Sequence, residues 1–103
     1  MKVFTDYQGR DVRLTSERLN HILSHPEMEG LENSVEQALS KPEKVIESRS
    51  DNSVMLFYSV LNETRVGVKW LCVAVKYSTD DAFVLTAYLT DKPKKGKQKW
   101  PTR

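Results

Sequence analysis

The sequence predicts an α+β domain in which two N-terminal helices pack on one face of a four-stranded antiparallel sheet. Three observations carry this. Apolar residues recur at helical spacing up to Leu39, four Val-, Phe- and Tyr-rich runs follow Pro42, and only short polar pieces separate those runs. Connections that short join antiparallel neighbours.

The first segments, Lys2–Thr5 and Asp11–Leu14, are short extended stretches around Tyr7-Gln8-Gly9-Arg10. Gly9 can supply the positive φ of a tight turn, so a short N-terminal hairpin is expected. Thr15 or Ser16 then suits a helix N-cap, with Glu17 in the first turn, where negative charge meets the positive end of the helix dipole. Leu19, Ile22 and Leu23 form a narrow apolar stripe, and Pro26 forces His25 into an extended conformation that ends the helix. A second helix spans 31–40, with Leu31, Val35, Ala38 and Leu39 on one face, and Lys41-Pro42 stops it.

The strand runs are 44–49, 54–60, 66–76 and 82–90. Leu71 to Val75 is apolar on both faces and reads as the central strand. Alternation in the last run puts Phe83, Leu85, Ala87 and Leu89 toward the helices and Val84, Thr86, Tyr88 and Thr90 on the opposite, open face. By the same parity Trp70, Cys72, Ala74 and Lys76 join the open face. In the first run Ile46 points to the helices, and Arg49 shares the other side with Val45 and Glu47.

A chain of 103 residues is one domain, long enough to bury roughly 65% of its unfolded surface without a staple. The expected division is a domain at 1–90 and a basic tail at 91–103. The net charge of +2 conceals this asymmetry. Six basic residues against one acid leave the tail at +5 and residues 1–90 at −3. Such a block binds polyanions or is simply solvated. The apolar runs fall far short of the ~20 residues of a membrane helix, and Met1-Lys2-Val3-Phe4 opens no signal peptide, so a cytoplasmic protein is expected. The single cysteine, Cys72, excludes an intrachain disulfide and a multi-thiolate zinc site, and reads as a small buried hydrophobe. His21 and His25 lie four apart on the first helix and, with Arg18, form a polar stripe beside its apolar one. The spacing is metal-compatible but lacks the glutamate of a His-Glu-x-x-His motif, so no metal or other cofactor is expected.

Arg13-Leu14-Thr15, His21-Ile22-Leu23-Ser24-His25-Pro26-Glu27-Met28, Val45-Ile46-Glu47-Ser48-Arg49, Val75-Lys76 and Leu85-Thr86-Ala87-Tyr88-Leu89-Thr90 occur in that order over residues 10–95. In this ordered combination the chain resembles the barnase-EndoU-colicin-RelE-like ribonuclease superfamily, most closely its phage- and mobile-element-associated branch. The resemblance implies a toxin-like endoribonuclease that works without a metal: the ribose 2′-hydroxyl attacks the adjacent phosphate. That reaction needs a base, an acid and fixed donors around the phosphorane. Histidine, with an ordinary pKa of about 6.5, suits proton transfer, whereas arginine suits charge stabilisation.

Carried onto this chain, the resemblance makes His21 the general base or acid and His25 its partner or a helix-end structural residue. Arg49 becomes the phosphate ligand, Lys76 a second cation, Thr86 a phosphate-positioning hydroxyl and Tyr88 its support. Trp70 is a candidate for base stacking, and Lys92, Lys94, Lys95 and Lys97 for holding the RNA backbone. The implied partners are RNA, tRNA included, and a neutralising antitoxin or immunity protein. The alternative is a non-catalytic RNA-binding or protein-interaction module with the same fold.

Overall fold

The structure, a computed structural model, describes residues 1–102. Strands β1 (Lys2–Thr5) and β2 (Asp11–Leu14) form the hairpin, followed by helix α1 (Ser16–Leu23), a 3₁₀ turn (Pro26–Met28) and helix α2 (Glu32–Ser40). Strands β3 (Lys44–Glu47), β4 (Val54–Thr64), β5 (Gly67–Tyr77), β6 (Ala82–Thr90) and β7 (Lys97–Trp100) complete the chain. The local signals act as their chemistry requires. The Thr15 hydroxyl accepts from the Arg18 amide at 3.2 Å, and Gly9 takes φ +87° in the hairpin turn. There the Asp6 carboxylate also accepts from the amides of Gln8 and Arg10, both at 2.9 Å. None of the described helices is long and apolar enough to cross a membrane.

The four-stranded antiparallel sheet is corrected to a seven-stranded mixed sheet of order β1-β2-β6-β5-β4-β3-β7. Three more strands account for the difference: the β1-β2 hairpin, joined through β2, and β7. β2 runs parallel to β6, meeting it at Arg13 and Phe83, and β7 pairs antiparallel with β3. The hairpin strand β2 alternates, burying Val12 and Leu14 in the main core, whereas β7 shows no such pattern. β7 reads Lys-Gln-Lys-Trp and exists because β3 offers it an otherwise unpaired backbone edge. β5 is the middle strand, and Leu71 to Val75 are all buried in it.

The helices cover one face. Ile22, Val35, Ala38 and Leu39 pack with Val45, Phe57, Leu71, Val73, Val75, Val84 and Ala87 in the main core. A smaller cluster of Ile46, Leu56, Tyr58, Cys72 and Ala74 occupies the outer face, with Trp70, Leu85 and Tyr88 packed against it.

Two facial expectations are therefore corrected. Val45, not Ile46, points to the helices. In β6 the register against β5 shifts between Ala74 and Val75, so Val84 faces the helices while Phe83 stands opposite Lys76. An extra residue reverses every side chain on one side of it. Leu85, at that bulge, packs on the outer cluster rather than in the helix-side core.

The outer face is not left open. Residues 91–96 leave the end of β6 and cross β5, β4 and β3 to reach β7, a strap laid diagonally over the outer cluster. The Lys94 amide donates to the Tyr58 hydroxyl at 3.0 Å. Gly96 sits so close to β3 that a Cβ there would lie 2.5 Å from the Glu47 carbonyl oxygen. The sheet is also curled. Tyr7, in the hairpin at one end of the strand order, touches both Phe57 of β4 (5.8 Å between ring centroids) and Trp100 of β7 (5.7 Å).

Candidate functional site

The outer face is built in rows set by the ladder. Ile46, Leu56, Ala74 and Thr86 form one row, Tyr58, Cys72 and Tyr88 the next, and Val60, Trp70 and Thr90 a third. Below them Val54, Lys76 and Phe83 make a fourth. Four of the sequence-derived candidates, Trp70, Lys76, Thr86 and Tyr88, thus share this face, all half-buried.

Their environments differ. Lys76 Nζ donates to Asp51 Oδ2 at 2.6 Å. This bond, with the hydroxyl and amide of Ser53 on the same carboxylate, holds Asp51 well below the usual carboxylate range. The Lys76 charge is thereby neutralised in the free protein. Tyr58, Cys72 and Tyr88 lie under or beside the strap. Burial pushes the Tyr58 phenol up to about 12 and raises Tyr88 further, while the Lys94 amide opposes the shift at Tyr58. Burial also raises the Cys72 thiol, so Cys72 stays protonated at neutral pH and is not an activated nucleophile. Trp70 meets Tyr58 edge-on at 6.4 Å and belongs to this packed layer as much as to any ligand surface.

Arg49 departs from expectation. β3 ends at Glu47, and Arg49 lies exposed in the bend between β3 and β4, two residues from Asp51. The strand ends early because the polar run Ser48-Arg49-Ser50-Asp51-Asn52-Ser53 forms its own turn, in which Asp51 Oδ1 accepts from the Ser53 amide at 2.9 Å and from its hydroxyl at 2.6 Å.

The helix histidines are exposed on α1 and just beyond it, with ring centroids 5.8 Å apart at nearly perpendicular planes. Their stripe is fastened to the sheet. Arg18 Nη1 donates to the Leu85 carbonyl oxygen at 3.2 Å, on the edge of β6 that β2 leaves free above Phe83. The bulged residue thus offers a carbonyl to α1. α1 lies on the helix side of the sheet and the Thr86 row on the outer side, so the structure does not bring His21 and His25 into contact with Thr86, Tyr88, Lys76 or Arg49. Among the described residues no three of His, Cys, Asp and Glu gather to hold a metal ion.

The strap and the first residue of β7, Lys97, carry the basic segment. Lys92, Lys94, Lys95 and Lys97 are all exposed, and among the described residues none of their side chains forms an ion pair. Neighbouring charges are spoken for: Lys69 pairs with Asp91 at the start of the strap, and Lys99 lies 3.7 Å from Glu47. Sequence reasoning missed the ordering of this segment, for which Gly96, the one small residue among lysines, is the available signal. It also missed the anchoring partner Tyr58.

Comparison with protein-family models, characterised proteins and solved structures gives no match to this chain. The structure itself shows an α+β sheet with both helices on one face and a basic strap over the other.

Proposed function

We propose that the outer face holds RNA and that groups at its β6 rim cleave it as a metal-independent endoribonuclease. The observation that carries this reading is the Arg18–Leu85 hydrogen bond, which ties the histidine flank of α1 to the strand bearing Thr86 and Tyr88. A base on that flank removes the 2′-hydroxyl proton, the 2′-oxygen bonds to phosphorus, and the P–O5′ bond breaks. An acid then protonates the departing 5′-oxygen, leaving a 2′,3′-cyclic phosphate and a 5′-hydroxyl. His21 and His25 serve as the proton-transfer pair, and Thr86, supported by Tyr88, orients the phosphate. Lys76 contributes its charge when a phosphate competes with Asp51, and Arg49 reaches the anion from the neighbouring bend. The strap lysines supply attraction along the backbone.

The experiment is cleavage of mixed RNAs, tRNA included, in EDTA. Cyclic phosphate ends are expected, and activity is lost in His21→Ala and Arg49→Ala variants that keep the native circular dichroism spectrum. Inert wild-type protein across these RNAs overturns the reading. A neutralising partner belongs to the same proposal and predicts growth arrest on expression, relieved by His21→Ala.

A second reading has its own support. Lys76 is already paired with Asp51 and Arg49 lies off the strand, an arrangement that suits a non-catalytic RNA-binding module. Such a module shows salt-sensitive binding that needs the strap lysines and is indifferent to His21 and His25.

A further inference from the structure

On the helix side of the curled sheet, a cavity of about 470 Å³ opens between the hairpin turn, the end of α2 and β7. Its walls are Tyr7, Gln8, Ser40, Lys41, Pro42, Lys99, Trp100 and Thr102. A smaller cavity of about 190 Å³ shares Tyr7, Gln8 and Lys99 with it and continues over Phe57 and Tyr77. The volume lies in the range of small-ligand sites, roughly 300–1,000 Å³.

The chemistry of the lining is selective. Trp100 is 41% exposed, an unusual state for so large an apolar ring, and its contact with Tyr7 fixes its plane. Among the described residues Lys41 and Lys99 are the charged ones lining the larger cavity, and none of them brings a carboxylate. Glu47 holds Lys99 at 3.7 Å from outside, whereas Lys41 has no ion-pair partner among the described residues. The Lys41 backbone caps the C-terminal end of α2, whose carbonyl end repels anions, so a bound anion depends on the two ammonium groups and not on the helix. Gln8 adds an amide that both donates and accepts, Thr102 a hydroxyl that can do either, and Ser40, whose proton goes to the Gln37 carbonyl oxygen at 3.5 Å, a hydroxyl left to accept.

An exposed aromatic plane beside two cations, with hydrogen-bonding groups of both senses at the rim, matches a ligand that joins a flat heterocycle to an anion. We propose that this cavity is a nucleotide-binding site, with the base stacked on Trp100 and the phosphate held by Lys41 and Lys99. It is independent of the strap and of the rim histidines, and its occupant is either a free mononucleotide or one nucleotide of a bound strand.

The test uses a Trp70→Phe protein, which leaves Trp100 as the only tryptophan. Its emission is followed during titration with adenosine 5′-monophosphate and, separately, with hexa-adenylate at low salt. Saturable quenching by the mononucleotide below about 1 mM is expected, a modest affinity for so few contacts. Lys41→Ala combined with Lys99→Ala weakens it at least roughly tenfold, because the charge-assisted hydrogen bonds to the phosphate are lost. Hexa-adenylate binding more tightly than the mononucleotide assigns the site to a strand, and equal or weaker binding assigns it to a free nucleotide. Absence of saturable quenching by both ligands, or quenching unaffected by the double lysine variant, overturns the site. Neutralising the strap lysines leaves the mononucleotide titration unchanged, so failure here is separate from failure of RNA binding on the outer face.

Discussion

The amide of Lys94 donates to the hydroxyl of Tyr58 at 3.0 Å, joining the basic strap to a side chain that is fully buried in the sheet. The strap is therefore an ordered part of the fold, and its lysines are presented from a fixed backbone.

Tyr58→Phe deletes the acceptor while keeping the ring. The expected loss of stability is about 1 kcal/mol, the net value of an ordinary hydrogen bond. Urea denaturation measures it, and hydrogen exchange at the Lys94 amide should accelerate selectively. An unchanged Lys94 exchange rate contradicts the anchoring role.

Gly96→Ala tests the close approach at the other end of the strap. A Cβ would meet the Glu47 carbonyl oxygen at 2.5 Å and Ile46 Cγ2 at 2.8 Å, and the former is backbone that cannot swing aside. Destabilisation of about 1–3 kcal/mol is expected, in the range of overpacked sites. Loss of amide protection should concentrate in β7 and its partner β3.

Replacing Lys92, Lys94, Lys95 and Lys97 together by Ala should flatten the salt dependence of RNA binding. Each phosphate neutralised on a single strand contributes about −0.7 to the slope of log K against log salt, so the slope should shrink by up to about 3. Filter binding at several salt concentrations reads this directly, and an unchanged slope removes the strap from the interface.

Arg18→Ala leaves both histidines in place but frees their flank from the Leu85 carbonyl. Stability should change by less than about 1 kcal/mol, because the bond is exposed. Cleavage is expected to fall by roughly ten- to a hundredfold in kcat with little change in KM, the pattern of lost positioning. Equal losses in RNA affinity point instead to a direct phosphate contact by Arg18.

Acid should destabilise the fold through Asp51 and Asp81, both held below the usual carboxylate range: Asp51 by Lys76 and Ser53, Asp81 first by its hydrogen bonds from Arg13. Because the folded values lie below the unfolded ones, the unfolded chain binds more protons in between. The stabilisation is present above about pH 4 and drains away as pH falls toward the folded values. Melting temperatures from neutral to acid pH should show the decline, and Asp51→Asn should make it shallower.

Much of this was legible in the sequence, for identifiable reasons. The last major strand, Ala82–Thr90, has the predicted limits because turn residues bound it on both sides, and α1 starts at its Thr15 cap. Trp70, Lys76, Thr86 and Tyr88 share a face as alternation requires. Alternation failed at Phe83 and Leu85 because the bulge depends on how β6 meets β5 and on the contact of Leu85 with α1, and neither leaves a mark on local pattern. It failed at Val45 and Ile46 because both are apolar and buried, one in each cluster. The sheet was undercounted because the pairing of the expected hairpin with β6 through β2, and of β7 with β3, depends on strand edges that exist only in the assembled layer. The histidine flank was legible as a stripe, but its attachment to the β6 rim depends on Arg18 reaching across 67 residues of chain.

The strap also imposes an order of assembly. Residues 91–96 leave the ribosome after every strand they cross, so the row of Tyr58, Cys72 and Tyr88 stays wet in the emerging chain until they arrive. Closing that row is a long-range, slow event, and hydration of these two phenols and the thiol in a chain stopped at residue 90 would report how far the inner layer can form without its cover.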